Sequence, residues 1–595
     1  MLKRKAEQAS VHPTAGTSVQ LIYEGVFVRT LDHLVQRFAG ARGSNLEAWT
    51  FDDERSRRAA EAKLAAYGVR ARFRSAYKPL LHFFLEEVHL SGLAAVHVIY
   101  PVHAAAPENR FRLETYPLAA LLGGAKLTFE AATKQNLVYE VKLTRGDGQT
   151  SSHSVFAPNR VHADFAGETL VSPTGWLRID GDLRGKRFET DYEALFAAVI
   201  DAVTSHGWGD REPYFEELNI AVTLPIEDRR LPVGEEAISP REAMHEDLYF
   251  SLLEVFQKRS GRASGDRGLR PGQIVPEVHY AEADPAVRIE TRPLARSEMD
   301  AASVPLDSAA SPISAGQVRA ELAGIGGEAF ASRAWSGRAV EACYRRGADR
   351  AVMISAGQHA NETTGIVGSL RAARVLAGRA GAHFVISPLE NPDGYQLHWR
   401  LSAANPRHMH HAARYTALGD DLEYRSEPLF EKAIRHEGER LSKAKLHLNL
   451  HGYPSHEWTR PLSGYVPRQF EMWTLPKGFF LIMRHHAPWA QVAERLVDRV
   501  TARLARLPGL LAFNGSQISL SNTHSGSSHF RIINGIPCVV TTDDRHQAPL
   551  TFISEYPDET IHGPAFIAGH AAQMEFVLAA YEAYQELDLK PAMIA

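Results

Sequence analysis

Residues 351–378 read AVMISAGQHANETTGIVGSLRAARVLAG, which predicts a short apolar strand ending at Gly357 and then a helix. Between the two lie His359 and Glu362, three residues apart. On a turn from strand to helix, this spacing lets an imidazole and a carboxylate point at one ion, and both groups suit Zn²⁺. The spacing alone is a weak signal, because a helix start at which Glu362 complements the helix dipole has the same pattern.

Three later segments place further polar residues at strand ends. They are 387–395 (SPLENPDGY), 446–454 (LHLNLHGYP) and 549–557 (PLTFISEYP). The second is an alternating strand that ends at His451, and the third is an apolar run that leads to Glu555. His447 lies on the same strand face as His451 and is an alternative ligand. We favour His451 because it ends the strand and is followed by Gly-Tyr.

The order of these motifs resembles that of the zinc carboxypeptidases of the carboxypeptidase A type. The order is strand–His-x-x-Glu–helix, strand–Asn-Pro-Asp-Gly-Tyr, strand–His-Gly-Tyr and strand–Glu, and the resemblance covers about 314–595. It implies an α/β fold class, an α/β/α sandwich with a mixed sheet, and one zinc ion at the carboxyl ends of the central strands. It also implies that His359, Glu362 and His451 are the zinc ligands.

Glu555 matches the family's catalytic glutamate, the general base and acid. Asp558 and Glu559 are its neighbours, and a surface acid at position 555 would be unremarkable. The chemistry is complete without the family, because two His and one Glu leave a fourth zinc position open for water. The ion lowers the pKa of that water toward about 7. A nearby carboxylate can accept the proton and pass it to the leaving nitrogen.

Two more positions follow from the resemblance. Asp421, with Asp420 adjacent, matches the aspartate that orients a zinc-binding His. The arginine that stabilises the oxyanion lies between Asn-Pro-Asp-Gly and this point. Arg407 fits best by position, and Arg400 and Arg414 are alternatives.

The sequence departs from the family just after Asp421. The family carries Asn-Arg there and grips a terminal carboxylate with that pair, whereas Glu423 and Tyr424 stand in its place here and Arg425 comes one residue late. A shift of one residue along an extended strand turns a side chain to the other face. We therefore expect residues 423–425 to line a substrate site that does not require a free C-terminal carboxylate and that favours a basic or blocked end.

Composition excludes several classes of protein. The chain has 595 residues, 44% hydrophobic and 23% charged, so it is not mostly disordered. A net charge of −4 offers no basic field to nucleic acid or to an anionic membrane. Residues 1–16 lack the apolar core of a secretory signal, no apolar run of about 18 residues occurs, and two cysteines cannot form a disulfide framework. We expect a soluble, cytoplasmic protein.

We divide the chain into four parts. They are an N-terminal α/β region (1–109), an α+β region with a β-rich first part (110–292), a linker (293–313) and the carboxypeptidase-like catalytic domain (314–595). Within the second part, 239–258 predicts a long helix with Ser239 as its N-cap and Glu242 as its capping-box acid. The segment that follows, 259–271 (RSGRASGDRGLRP), predicts a solvated loop.

The sequence therefore predicts a zinc-dependent hydrolase that cleaves an amide bond in a peptide or N-acyl amino acid. Within the enzyme class, the alternative is a deacylase or amidase for an unusual peptide, such as a cell-wall fragment. Outside that class, the alternative is a zinc-binding pseudoenzyme that serves as an interaction module. The oligomeric state stays open.

Overall fold

The computed structural model describes residues 19–588 apart from 166, 264, 467, 469 and 527–529. The first 18 residues, in which the sequence shows no secretory signal, lie outside this part. Among the described helices, none combines the length and the apolar character needed to cross a membrane.

The first half of the chain contains three four-stranded sheets and two strand pairs, among the described residues. The strands are β1 Gln20–Val26, β2 Asn45–Thr50, β3 Arg70–Ser75, β4 Leu93–Tyr100, β5 Lys126–Ala131, β6 Val138–Arg145, β7 Thr150–Phe156, β8 Asn159–Ala163, β9 Thr169–Pro173, β10 Gly175–Ile179, β11 Lys186–Phe188, β12 Glu217–Leu224, β13 Arg229–Arg230, β14 Ala237–Ile238, β15 Gln273–Tyr280 and β16 Ala286–Arg292. The sheet orders are β1-β16-β12-β15, β11-β10-β2-β3 and β5-β4-β6-β7. The helices are α1 Thr30–Phe38, α2 Glu54–Ala66, α3 Pro79–Glu86, α4 Arg110–Leu113, α5 Leu118–Leu121, α6 Asp191–Ser205 and α7 Pro240–Arg259.

The second half builds one nine-stranded sheet in the order β17-β18-β20-β19-β21-β25-β22-β24-β23. Its strands are β17 Glu328–Arg333, β18 Ala339–Arg345, β19 Val352–Ala356, β20 Phe384–Ser387, β21 Leu446–Pro454, β22 Phe480–His485, β23 Arg531–Ile533, β24 Ile536–Thr542 and β25 Leu550–Glu559. The α-helices are α8 Ala315–Ile325, α9 Thr364–Ala377, α10 Pro392–Ala404, α11 Ala433–Ser442, α12 Ala490–Leu504, α13 Leu510–Ser525 and α14 Pro564–Glu586. Short 3-10 helices are Leu306–Ser308, His411–Ala413, Phe430–Lys432, Pro461–Ser463, Glu471–Trp473 and Ala487–Trp489.

This sheet combines parallel and antiparallel pairings, and the parallel ones join β20, β19, β21 and β25 at its centre, so the expected mixed α/β architecture is confirmed. Every residue of the central strands β19, β21 and β25 is buried, because helices and the first half of the chain leave neither face open. Helix α14 packs on both α9 and α12, while α11 contacts β18, β19 and β20. The sandwich arrangement itself stays a prediction.

The four-part division also stays a prediction, and one feature complicates it. Residues 293–313 contain buried Leu306, Ala309 and Ile313, which belong to the core of the second half. A second, larger core joins side chains of the first half to Leu397 and Trp458 of the second half. The two halves therefore share apolar packing.

Candidate metal centre

Three neighbouring strands bring the predicted ligands together. β19, β21 and β25 run parallel and side by side, so their carboxyl ends meet at one edge of the sheet. His359 and Glu362 lie between β19 and α9, and His451 lies on β21. In the register of β21 with β25, His451 is opposite Glu555. All four side chains thus lie where open α/β sheets bind ligands.

The donor atoms of the three predicted ligands form a tight triangle. His359 Nδ1 lies 2.9 Å from Glu362 Oε1 and 3.1 Å from His451 Nδ1. His451 Nδ1 lies 3.0 Å from Glu362 Oε2. Within the described residues, no other group of three or more His, Cys, Asp or Glu side chains brings its donor atoms within 4.8 Å of one another. Because zinc bonds to nitrogen and oxygen are about 2.0–2.2 Å long, all three donors can reach one ion.

The charges around Glu362 keep this carboxylate ionised. Burial by itself raises a carboxyl pKa. The positive charges of His359 and Arg414 outweigh burial and hold the pKa of Glu362 well below its ordinary value. Arg414 Nη1 donates a hydrogen bond of 2.5 Å to Glu362 Oε1. An ionised carboxylate beside two imidazoles is a donor set that suits zinc, so the residues present fit the ion.

Asp421 is placed to orient His359. Its Oδ1 lies 3.5 Å from His359 Nε2, the ring nitrogen that faces away from the triangle. Asp421 is itself held by the backbone N–H of Glu423 at 2.9 Å. Its neighbour Asp420 instead binds Arg425 and Thr416. A carboxylate that accepts from the distal nitrogen fixes the ring of a metal-binding His.

His447, the alternative ligand, is engaged elsewhere on β21. Its Nε2 lies 2.6 Å from Ser355 Oγ on β19. Burial lowers the pKa of His447 well below its ordinary value, and the charge of Arg435 lowers it further. The structure therefore groups His451, rather than His447, with the other two donors.

Glu555 is buried next to the triangle, and its carboxyl group makes no hydrogen bond to any described residue, although its backbone pairs with β21 and β22. Burial raises its pKa well above the ordinary value, and the negative charge of Glu362 raises it further. Asp558, by contrast, accepts hydrogen bonds from Thr364 N at 2.8 Å and Thr364 Oγ1 at 2.6 Å. Glu559 accepts one from Asn361 Nδ2 at 2.8 Å. Of the three acids, Glu555 is the one whose carboxyl group forms no hydrogen bond to a described residue, whereas Asp558 and Glu559 are each hydrogen-bonded through one oxygen and keep the other, Oδ1 and Oε1, without a partner.

The assignment of Arg407 is corrected. Its side chain is half exposed, and Nη1 donates to Glu235 Oε2 at 2.7 Å. Arg400 is committed to Glu217, with a bond of 2.8 Å from Nη2 to Oε1. Arg414, the remaining alternative, contacts Glu362 directly. Position along the chain favoured Arg407, because several arginines follow the start of α10 and spacing does not tell which of them folds toward Glu362.

The assignment of Arg425 to substrate is also corrected. The guanidinium is fully buried and bonds both Asp420 Oδ2 and Glu431 Oε2 at 2.6 Å. Because the Arg425 guanidinium already binds two carboxylates, it has no free edge for a substrate carboxylate. It therefore holds the 420–431 segment together.

Glu423 and Tyr424 have different environments. The carboxylate of Glu423 accepts from Arg484 Nη1 at 2.5 Å and lies 3.0 Å from His546 Nε2. Burial acts to raise the pKa of Glu423, but its contacts with His546, Arg435 and Arg484 hold that pKa well below its ordinary value. Its charge is thus offset within the protein, which removes the reason for expecting it to repel a substrate carboxylate. Tyr424 is 47% exposed.

One residue beside the centre has no counterpart in the sequence analysis. Arg267, from the Arg/Gly-rich segment 259–271, lies 3.7 Å from Asp421 Oδ2 through its Nη1. The composition of that segment predicted a solvated loop, and a single sequence carries no signal for a contact between positions 267 and 421.

Comparisons with known proteins were made for the whole chain. No family model and no curated protein matches it. Similar solved structures are a metallo-carboxypeptidase from Burkholderia cenocepacia (13% identity, TM-score 0.28, covering 51% of this chain and 74% of that one), a metallo-carboxypeptidase from Pseudomonas aeruginosa in complex with (2-guanidinoethylmercapto)succinic acid (14%, 0.27, 51% and 72%), and the murein-tripeptide amidase MpaA from Escherichia coli O157 (12%, 0.24, 45% and 97%). TM-scores this low carry no argument about activity, so the function is argued from the site itself.

Proposed function

We propose that this chain is a zinc-dependent hydrolase that cleaves an amide bond in a peptide or N-acyl amino acid. The observation that carries the proposal is the triangle of His359, Glu362 and His451 with Glu555 opposite His451 in the sheet register. Three protein donors leave a fourth position open, which is typical of catalytic rather than structural zinc. When bound, the ion would act as a Lewis acid on the substrate carbonyl and would lower the pKa of a bound water.

The chain's own residues divide the remaining work. Glu555 takes the proton of the attacking water and passes it to the leaving nitrogen, a task for which a buried carboxyl with no hydrogen-bond partner among the described residues is suited. Asp421 holds the ring of His359 in position. Arg414 keeps Glu362 ionised and is the arginine closest to this group, so we assign to it the oxyanion role expected of Arg407.

The test is Glu555→Gln, measured for both zinc content and peptide turnover. We expect the variant to keep its zinc, because residue 555 is not a ligand, and to lose about 10²–10⁴-fold in turnover, the usual contribution of a positioned general base. His485→Gln, on the neighbouring strand β22 and bonded to a backbone carbonyl, is the control and should retain activity.

Two outcomes separate the alternatives. Full turnover in Glu555→Gln would move the role of base to another acid. A wild-type protein that binds zinc but turns over neither free nor blocked peptides would favour the pseudoenzyme.

A further inference from the structure

Residues 267–272, at the end of the Arg/Gly-rich segment, contact residues 418–421 beside the metal centre and are not a free loop. Gly272 N donates to Leu418 O at 3.0 Å, and Asp421 N donates to Arg267 O at 3.4 Å. Gly419 allows this close approach: its φ is +83°, and a Cβ there would lie 2.4 Å from Gly272 O. The first half of the chain thus contacts the segment in which the family carries its carboxylate-gripping pair.

Of Arg267 and Arg270, Arg267 is the one whose side-chain N–H groups are not used in hydrogen bonds to described residues. Its guanidinium forms no hydrogen bond to a described residue, and its distance of 3.7 Å to Asp421 exceeds ordinary hydrogen-bond length. The side chain is 26% exposed. Its neighbour Arg270, by contrast, donates to Ser426 O at 2.9 Å and pairs with Asp420 at 3.3 Å.

Aromatic rings fix where the Arg267 guanidinium lies. Its Cζ is 4.7 Å from the ring centre of Phe470 and 5.5 Å from that of Tyr424. Such contacts hold a guanidinium by its face and leave its edge open to a planar anion. The side chain also borders a small cavity of about 40 Å³ whose wall includes Asp421 and Tyr415.

The other charges at this cavity are largely paired. Glu254 is bound by Arg460 at 2.9 Å and by Arg468 at 2.8 Å. Asp421 is shared between His359 and the backbone N–H of Glu423. Among the described residues that line this cavity, Arg267 is therefore the cation whose guanidinium forms no hydrogen bond. It is the group to which a substrate carboxylate can bind.

We propose that Arg267 binds a carboxylate of the substrate, so that the first half of the chain supplies a specificity determinant of the hydrolytic site. This inference rests on the proposed function. It reverses the expectation drawn from Glu423, since the charge of Glu423 is offset by Arg484 and His546 and Arg425 is buried in ion pairs. An Arg fork matches a carboxylate bidentately, which suits a peptide with a free C-terminus.

The experiment compares kcat/KM on matched peptides with a free and an amidated C-terminus, in the wild-type chain and in Arg267→Gln. We expect the variant to lose about 10–100-fold on the free peptide and less than about twofold on the amidated one, since only the free peptide offers a carboxylate for a charge-assisted hydrogen bond. Arg262→Gln, on the same segment but paired with Glu212, is the matched control and should change neither value.

Binding provides a readout independent of turnover. In a Glu555→Gln background, calorimetry should give a Kd for the free peptide that is about 10–100-fold weaker when Arg267→Gln is added. If no peptide is turned over but this difference persists, the proposed function fails while the Arg267 site stands. Equal losses on free and amidated peptides would mean that Arg267 acts only through Asp421, and no loss on either would also overturn the proposal.

Discussion

Two imidazole Nδ1 atoms that lie 3.1 Å apart in a buried site cannot both carry a proton without repulsion. A shared cation removes that conflict, and the Glu362 carboxylate, 2.9–3.0 Å from each ring, supplies the balancing negative charge. The buried position of each of these three side chains is therefore explained only by the presence of the other two. This mutual dependence is the physical basis for predicting the effect of single substitutions.

We predict that His359→Ala, Glu362→Ala and His451→Ala each abolish tight zinc binding, because two remaining donors are too few. His447→Ala is the matched control, since that ring is on the same strand and bonds Ser355. Metal content of the purified variants is the measurement. A zinc-free His447→Ala protein alongside a zinc-loaded His451→Ala protein would show that the ligand is misassigned.

Gly452, directly after His451, is the second residue on which the centre depends. A Cβ at this position would lie 2.0 Å from Asp558 Oδ1, and Asp558 also binds the first residue of α9. We predict that Gly452→Ala lowers the free energy of unfolding by about 1–3 kcal/mol, the usual cost of overpacking, and weakens zinc binding.

The control is Gly515→Ala in α13, where nothing lies within 4 Å of the added Cβ. It should be neutral or stabilising by up to about 1 kcal/mol. Thermal unfolding followed with and without zinc is the measurement. Equal stability of Gly452→Ala and the wild type would contradict the packing argument.

At the level of single residues, the sequence predicted which three side chains the structure groups together, but not the partners of the arginines. His359 and Glu362 follow β19, and His451 lies in the last half of β21, where chain position is enough to bring neighbouring strands together. The prediction that the strand ends at His451 was wrong, because β21 continues to Pro454. Arg407 and Arg425 could not be judged in the same way, since their partners Glu235 and Asp420 lie on irregular segments whose path no periodicity reports.

Among the elements, the central strands were the most predictable. β19, β21 and β25 are buried throughout; β19 and β25 begin as apolar runs in the sequence, whereas β21 alternates leucines with buried polar residues. Helix α7 was also predicted, and Ser239 caps it by accepting from Glu242 N at 3.0 Å. The capping-box expectation for the Glu242 side chain was wrong, because a tertiary partner replaced the local one: Glu242 Oε1 lies 2.7 Å from His456 Nε2.

That contact links α7 to the second half of the chain and carries a prediction at this scale. Glu242→Ala would leave His456 buried without its counter-ion, so we expect a loss of about 3–5 kcal/mol of stability. Ser239→Ala removes the cap together with the hydroxyl's hydrogen bonds to Asp228 and His408, and should cost about 1–2 kcal/mol. Chemical denaturation of both variants is the measurement. Similar losses of stability in the two variants would contradict the interpretation of Glu242 and His456 as a buried ion pair.

The same pair predicts a dependence of stability on pH. Burial alone lowers the pKa of His456, but Glu242 outweighs it and raises the pKa above the ordinary value of 6.5. The contribution of the pair is therefore complete below pH 6.5 and is lost as the pH rises through the raised pKa. Glu242→Gln should flatten that part of the stability curve, and an unchanged slope would contradict this account.

At the scale of the whole molecule, the two halves share one hydrophobic core. Leu397, Tyr415, Trp458 and Phe470 of the second half belong to the same buried cluster as side chains of the first half. Buried ion pairs cross the same boundary, as with Arg460 and Glu254. Composition changes along the chain indicate where segments differ, but they carry no information on which segments bury each other's apolar surface.

We therefore predict that residues 293–595 expressed alone do not form a stable domain. Without the first half, apolar side chains such as Trp458 and Phe470 become exposed and Glu254 is removed from Arg460, and a patch of this kind promotes aggregation. Co-expression with residues 1–292 should restore soluble protein, because the missing surface is then supplied. Size-exclusion chromatography and thermal unfolding are the measurements. A monomeric 293–595 fragment that binds zinc and unfolds within a few degrees of the full chain would show that the shared core is dispensable and that the first half is a separate attachment.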